Sequence, residues 1–292
     1  RGGVTIRPDD VENIIFINSL ENQDLTFEKL KEFSVGLEYS LFANRIAGEL
    51  GYYKRNSFDL IGTVKNSGIG GEAFKTGNYA DLDVEGYEFS LSTVNVKTRN
   101  FEWATNLNVG YNTEEVQELQ FNPRLLDLLT PSGAPNSGRE ISALYSVRFA
   151  GLNEFGIPTF FDADDNIVTN INLQSREDIE KILKYEGPTQ PRGAGGFSNT
   201  FKINNFTLTA NVSFKFDYKI RLNSNFSDRY TDFNSLPGEL VNRWRLPGDE
   251  NITNIPAILE RDVTINELGG DNAYQLYNSS DLRVVDGTYA RM

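Results

Sequence analysis

The 292-residue chain has no cysteine and no histidine. Without cysteine there are no disulfides and no thiolate metal sites. Without histidine the commonest general base and metal ligand are missing, along with every Ser-His-Asp or Cys-His arrangement. Catalysis would have to rest on carboxylates, Lys or Tyr alone, so no enzymatic activity, cofactor or metal is expected. Positive charge is scarce, with 28 Lys+Arg against 41 Asp+Glu and a formal net charge of −13. Phosphate recognition draws on clustered Lys and Arg, so no nucleic-acid partner is expected. No run of about 18 apolar residues occurs, which excludes a transmembrane helix. The opening RGGVTIRPDD lacks the apolar segment of a signal peptide, placing any export signal upstream of Arg1. Apolar residues make up 39% of the chain, below the usual figure of about 45–50% for globular chains.

What is abundant is aromatic: 20 Phe and 13 Tyr, with 2 Trp and 25 Gly. These residues fall in two-residue alternation, the mark of strands with unlike faces. Phe33, Val35, Leu37, Tyr39 and Leu41 alternate with Ser34, Gly36, Glu38 and Ser40. After Ala43-Asn44-Arg45 the pattern resumes with Ile46, Gly48, Leu50 and Tyr52. A second pair runs Tyr87, Phe89, Leu91, blurs at Val94 and Val96, turns near Thr98-Arg99-Asn100, and returns from Phe101 to Tyr111. A third runs Phe197, Phe201, Ile203, turns at Asn204-Asn205, and alternates unbroken from Phe206 to Tyr218. That last run exceeds the usual strand of about 5–6 residues and covers the roughly 9–11 a tilted strand needs to cross a bilayer.

The connections are lopsided. Turns within each pair are tight, whereas the segments Lys54–Glu85, Asn112–Arg192 and Lys219–Asp281 read as long loops. Short turns on one side and long loops on the other characterise outer-membrane barrels, while a soluble sandwich spaces its turns more evenly. Tyr52, Tyr53, Tyr87, Phe101, Trp103, Tyr111, Phe206, Phe216 and Tyr218 gather at strand ends, where interfacial girdles would place them. Plain strand propensity offers a rival account of the same residues. Within the second loop, Ser175-Arg176-Glu177-Asp178 followed by Ile179, Ile182 and Leu183 predicts a helix from about Arg176 to Lys184, stopped by Gly187-Pro188.

Several motifs weaken on inspection. Asp162-Ala163-Asp164-Asp165-Asn166 opens like a calcium loop, but Ile167 and Leu173 stand where Gly and Glu belong. An Asp/Asn-rich hairpin turn is the simpler reading. Gly193-Ala194-Gly195-Gly196 lacks the Gly-Lys-Ser/Thr of a phosphate cradle and leads into a strand. The carboxylate pairs Glu114-Glu115 and Asp164-Asp165 sit in polar loops and support no glycosidase-like chemistry. The loop from Tyr230 to Arg245 sets Tyr230, Phe233 and Trp244 beside Arg243 and Arg245. These five are the candidate substrate- or partner-binding residues, because exposed aromatics beside Arg form binding surfaces. A loop packed on itself is the alternative.

In order along the chain, several runs resemble the C-terminal barrel of SusC/RagA-type TonB-dependent transporters. They are ENQDLTFEKL (Glu21 to Leu30) running into FSVGLEYSLFANRIAGELGYYKRNSFDLI, then GYEFSLSTVNVKTRNFEWATNLNVGYNTEEV and ALYSVRFAGLNEFGIPTFFDADDN. GGFSNTFKINNFTLTANVSFKFDYKI, NRWRLPGDENITNIP and SSDLRVVDGTYARM follow. Ala143 to Val147 departs from the pattern, since the family usually has Gly beside those aromatics. The resemblance implies energised import of a bulky nutrient, a glycan or oligopeptide, across the cell outer membrane. It implies a plug domain inside the barrel, TonB acting through that plug, a SusD-like surface lipoprotein as lid, and outer-membrane lipid around a multi-pass barrel.

The expected fold is therefore all-β. Residues 1–292 would form a partial arc of a 22-stranded antiparallel transmembrane barrel with long extracellular loops. About six strands and the start of a seventh are expected, with the plug domain and final strands lying outside the chain. A passive porin and a secreted β-sandwich adhesin or binding module are the alternatives.

Overall fold

A computed structural model describes residues 2–6, 13–17, 23–65, 74–222, 225–231, 233–259 and 270–292. Of the leading run quoted above, Glu21 and Asn22 lie outside the described residues. The architecture is dominated by one seven-stranded sheet. Its strands are β1 (Lys29–Leu41), β2 (Ile46–Lys65), β3 (Phe74–Lys97), β4 (Phe101–Leu119), β5 (Gly193–Ile203), β6 (Phe206–Phe216) and β7 (Tyr289–Arg291). Each pairs antiparallel with its neighbour in the chain, so the sheet is an up-and-down meander. This is the expected antiparallel arc, including the start of a seventh strand. A separate pair, Gly2–Ile6 with Asn13–Ile17, precedes it.

The alternation becomes two unlike faces because the register keeps parity across the sheet. Val35, Tyr52, Tyr87, Tyr111, Gly193 and Phe216 form one continuous row. Leu37, Leu50, Phe89, Val109, Gly195 and Phe214 form the next. Among the described residues no second sheet covers this apolar face, and Leu37 stays 60% and Phe206 82% exposed. The other face is polar, with Glu38, Glu49, Ser90, Asn108, Gly196 and Ser213 in one row. Where the sequence blurs, at Val94 and Val96, β3 carries a bulge between those residues. The extra residue returns Val96 to the apolar face opposite Trp103.

Glycines on the apolar face lie under aromatic rings of their cross-strand partners. The ring of Phe216 covers Gly193 and that of Phe214 covers Gly195, where a Cβ would lie 2.1 Å and 2.6 Å from ring carbons. The glycine run at 193–196 is thus a packing device of the kind that rescues glycine in sheets, not a phosphate cradle.

Two aromatic rows bound the apolar band. Tyr52 contacts Tyr87 at 5.2 Å between ring centres and Tyr111 contacts Phe216 at 6.1 Å on the long-loop side. Trp103 stacks on Phe201 at 5.8 Å on the short-turn side. From Phe101 to Tyr111 the chain rises about 34 Å at about 3.4 Å per residue. A tilt of about 40° reduces this to about 26 Å, matching an apolar band about 25 Å tall.

Beyond the upper aromatic row the strands do not stop as the sequence reading expects. β2 and β3 run 20 and 24 residues, and β4 runs 19. The segment 54–85 is therefore largely a strand hairpin, and residues 112–119 extend β4. Alternation vanishes there, where most residues are half-buried and Ala80 and Val116 are buried, Val116 bonding the backbone of Gly138 and Arg139. Cross-strand polar pairs replace it: Lys54 to Glu85 at 2.6 Å and Arg55 to Glu32 at 2.9 Å. β6, in contrast, ends at Phe216 although alternation continues to Tyr218, because Asp217 turns to a φ of 59°.

The remaining long segments fold into a compact outer unit at the long-loop rim. Ala143–Val147 pairs with Leu183–Pro188, and Phe149–Leu152, Pro158–Phe161 and Ile167–Val168 make a small sheet. Lys219–Arg221 pairs with Val284–Asp286. Leu125, Leu128, Val147, Ile157, Phe160, Leu276 and Tyr277 are buried at its centre. The helix expected from about Arg176 to Lys184 shrinks to Ile179–Ile182. Leu183 and Lys184 are instead taken into the strand opposite Ala143–Val147, and tertiary pairing overrides the local capping signal.

Candidate substrate and partner surface

The polar face of the sheet forms a hollow of about 780 Å³ near the short turns. Glu38 and Glu49 stand directly opposite each other across β1 and β2, with Ser40, Asn44, Ser90, Ser92, Asn106 and Asn108 around them. Ser92 Oγ donates to Asn106 Oδ1 at 2.8 Å. This face presents carboxylates, amides and hydroxyls, and among the described residues no apolar core packs against them.

At the long-loop rim a charged cluster joins sheet and outer unit. Arg192, immediately before β5, reaches Glu140 through Nη2 and Asp217 through Nη1, the latter at 3.2 Å. Tyr111 on β4 donates to Asp217 at 3.0 Å, and Tyr185 donates to Glu140. Burial, then the Glu140 carboxylate, holds the Tyr185 phenol far above its ordinary range. Arg221 lies deeper still, donating to the carbonyls of Leu129 and Tyr145, with the Glu186 carboxylate acting on it through space. Burial lowers its pKa to about 10.

The outer unit also holds an open cleft of about 610 Å³. Arg139, Arg148, Lys181 and Lys184 converge on it beside Tyr145 and Tyr185, in company with Asp165 and Glu180. Arg139 stacks on the Tyr185 ring at 4.4 Å. Most of these donors are already engaged: Tyr185 donates to Glu140, Arg148 to Asp165 and to the Asp162 carbonyl, Lys181 pairs with Asp178 and Lys184 with Glu186.

The five candidate residues of the loop 230–245 do not share one environment. Tyr230 packs against the outer core, its hydroxyl accepting the Ser227 N–H at 3.0 Å. Trp244 lies on Gly156, where a Cβ would be 2.5 Å from the ring, and its Nε1 donates to Glu250 at 3.0 Å. Arg243 donates to the Leu240 carbonyl and Arg245 to that of Val241, each at 3.1 Å. Phe233 is 99% exposed. The structure therefore gathers Arg243, Trp244 and Arg245 into an internally bonded turn, turns Tyr230 inward and leaves Phe233 facing solvent.

At the Asp-rich turn the Asp162 carboxylate accepts the backbone N–H groups of Asp164 and Asn166, both at 2.9 Å. Arg148 supplies the positive charge, donating to Asp165 at 2.7 Å and to the Asp162 carbonyl at 2.7 Å. The turn is thus bonded as a hairpin. Sequence reasoning did not single out the row through Glu38 and Glu49, although alternation already placed it on the polar face. The Arg192–Glu140–Asp217 cluster carries no local signal, since its members come from separate loops.

No established family profile matches the chain. TonB-dependent receptor P26 of Formosa agariphila is 27% identical over 244 residues, covering 76% of this chain and 24% of that protein. TonB-dependent receptor P3 of the same organism is 23% identical over 93% of this chain and 28% of its own length. TonB-dependent receptor SusC of Bacteroides thetaiotaomicron is 31% identical over 99 residues, 34% of this chain and 10% of that protein. The chain thus spans about a quarter or less of the length of these relatives. The solved structure of the RagAB peptide transporter superposes with a TM-score of 0.73 at 19% identity, over all of this chain and 31% of that one. Its "open-open" state gives 0.68. These superpositions show a common fold.

Proposed function

We propose that this chain, a β-barrel segment of a SusC-like TonB-dependent receptor, forms part of the wall and outer loops of an outer-membrane importer. The carrying observation is the two-faced sheet: an exposed apolar band about 26 Å tall between aromatic rows, backed by a polar face. That division fits lipid outside and a hydrated, plug-filled lumen inside. On this reading the short turns are periplasmic and the outer unit is extracellular. Residues 1–292 are one part of the barrel domain, and the plug and further strands are supplied elsewhere in the receptor.

The cargo is a bulky nutrient, a glycan or an oligopeptide, bound at the outer unit and lumen and released by TonB-driven plug movement. A SusD-like surface lipoprotein covers the outer unit, and Phe233, with the turn of Arg243, Trp244 and Arg245 and the nearby Tyr230, contributes to that contact. No covalent step is assigned to the segment. A passive porin shares the wall but needs no plug or lipoprotein. A β-sandwich requires a second sheet over the apolar face, which is uncovered among the described residues.

The test is purification of the full-length receptor from outer membranes in mild detergent, with mass spectrometry of co-purifying species. A stoichiometric surface lipoprotein with a retained glycan or peptide is expected. Recovery in the soluble fraction without detergent would overturn the barrel reading, and a barrel isolated without lipoprotein or cargo would favour the porin.

A further inference from the structure

Glu114 reads as a loop residue in the sequence but lies in the extension of β4, above the upper aromatic row. β5 begins opposite Tyr111, so one edge of that extension is left to loops. Asn112 N–H donates to the Arg192 carbonyl, Val116 N–H to that of Arg139 and Gly138 N–H to that of Val116, each at 2.8 Å. Glu114 stands between these contacts, and its carboxylate accepts the backbone N–H groups of Ile141 and Ser142. The same loop carries Glu140, 4% exposed, which acts on Glu114 as a like charge. Wall and outer unit thus meet across two carboxylates, one half-buried and one buried.

The charges around this pair do not balance. Arg192 is bonded to Glu140 and Asp217, which leaves Glu114 without a paired cation among the described residues. Tyr185 donates to Glu140 and Tyr111 to Asp217, and neither phenol brings positive charge. Arg139, the other cation of the loop, lies over the Tyr185 ring at 4.4 Å. On the sheet side Glu114 pairs with Val84, and Arg55 beyond it in the same row is held by Glu32 at 2.9 Å. Asp83, Glu85 and Glu115 point to the opposite face. An added proton has two acceptors nearby. One is the Glu140 carboxylate. The other is Ser142 Oγ, buried, without a partner among the described residues, and on the residue whose N–H already faces Glu114. Burial, then the charge of Glu140, raises the Glu114 carboxyl above its ordinary range.

We propose that Glu114 and Glu140 form a proton-operated clasp between wall and outer unit, closed when the pair holds a proton and slack when both carboxylates are charged. The proton removes the repulsion between them. It also lets Glu114 donate to Glu140 or Ser142 Oγ while its other oxygen keeps a backbone N–H. The direction follows from linkage: a carboxyl raised by folding contributes stability that is complete below its unfolded pKa and is lost as pH climbs through the folded one. The outer unit is therefore held most firmly in mildly acid surroundings and loosens toward neutral pH. On the importer reading above, the clasp sets how firmly the extracellular mouth is capped, but the clasp itself does not depend on that reading.

The test is hydrogen exchange of the full-length receptor in detergent at about pH 5 and about pH 7.5, on either side of a raised carboxyl and corrected for the intrinsic pH dependence of exchange. In the wild type, protection of residues 112–116 and 138–142 is expected to fall severalfold from the lower pH to the higher. Glu114→Gln keeps an oxygen acceptor and supplies an N–H where the proton would sit, so it is expected to show the acid-like protection at both. Glu115→Gln, on the opposite face, should leave the wild-type response unchanged. Wild-type protection that is the same at both pH values would overturn the proposal, and that outcome requires no variant to fold. So would a Glu114→Gln receptor that keeps the full response, or one that loses protection at both pH values, which would make Glu114 a backbone acceptor alone. A response abolished equally by Glu115→Gln would assign it to general surface charge and also overturn the clasp. Folding is read separately from the heat-dependent shift of a closed barrel on denaturing gels. Absence of that shift in the wild type counts against the barrel reading, while a shift without the pH response counts only against the clasp.

Discussion

Arg192 and Glu140 meet at the rim although they lie 52 positions apart, one leading into a barrel strand and the other set in an outer loop. Glu140 is 4% exposed. Its charge therefore depends on Arg192 for compensation, and the pair fastens the outer unit to the sheet. Arg192→Ala is expected to destabilise the outer unit by about 2–3 kcal/mol, toward the low end for a buried pair because Arg192 keeps some contact with water. Hydrogen exchange should rise across residues 120–192 while the barrel's heat-dependent gel shift is unchanged. Unaltered exchange would show that the pair does not hold the unit in place.

Gly156 is tied to Trp244 by both shape and backbone. It has a φ of 71°, and an added Cβ would lie 2.5 Å from the indole. Gly156→Ala is expected to cost about 2 kcal/mol from left-handed strain and displaced packing. Because Trp244 packs on Gly156, its fluorescence, read as the difference from a Trp244→Phe background, should report the displacement as a red shift. No shift would mean that the turn accommodates the methyl group.

Leu107 sits in the apolar row with Leu91, Phe197 and Val212, near the middle of the band. Leu107→Arg is expected to destabilise the folded receptor by about 2–4 kcal/mol, the cost of a cation on the lipid face near the midplane. Asn106→Arg, one residue away on the polar face, should cost far less. Equal effects in reversible folding into vesicles would contradict the assignment of faces.

The outer unit should loosen at high pH. Burial raises the phenols of Tyr145, Tyr185, Tyr274 and Tyr277 above their ordinary value of 10, that of Tyr277 to about 12. A group whose folded pKa is raised contributes stability that is complete below its unfolded pKa and is lost as pH climbs through the folded one. These four therefore favour opening above about pH 10. Arg221, lowered to about 10 by burial, acts oppositely, because the unfolded state then binds more protons, but it is one group against four. Tyrosinate absorbance should show a lagging fraction that appears together with rising protease sensitivity of the outer unit. A titration in which every tyrosine ionises at its ordinary pKa would refute this.

Phe233→Ser should weaken capture of the surface lipoprotein by the full-length receptor without lowering thermal stability, since the side chain is solvent-exposed. A stability loss with unchanged capture would remove Phe233 from the contact.

The sequence by itself determined the wall. Period-two alternation from Phe33 to Leu41 and from Phe206 onward dictates which face is apolar, because neighbouring residues in a strand always point to opposite sides. The tight turns at Asn44, Arg99 and Asn204 follow from the same local rules, and the family resemblance added the order of the hairpins. Tertiary structure alone decided everything set by partners distant in the chain. Pairing with Ala143–Val147 turned Leu183 and Lys184 from expected helix to strand, and polar cross-strand pairs carried β2 and β3 beyond the upper aromatic row where no pattern marks them. Packing on Gly156 turned Trp244 from a free aromatic into part of a turn. Arg192 found Glu140, and Asn199 found Thr105 and Trp103, only because the fold brought segments far apart in the chain within hydrogen-bond reach. Local periodicity encodes direction, but contact depends on which segments the folded chain brings together.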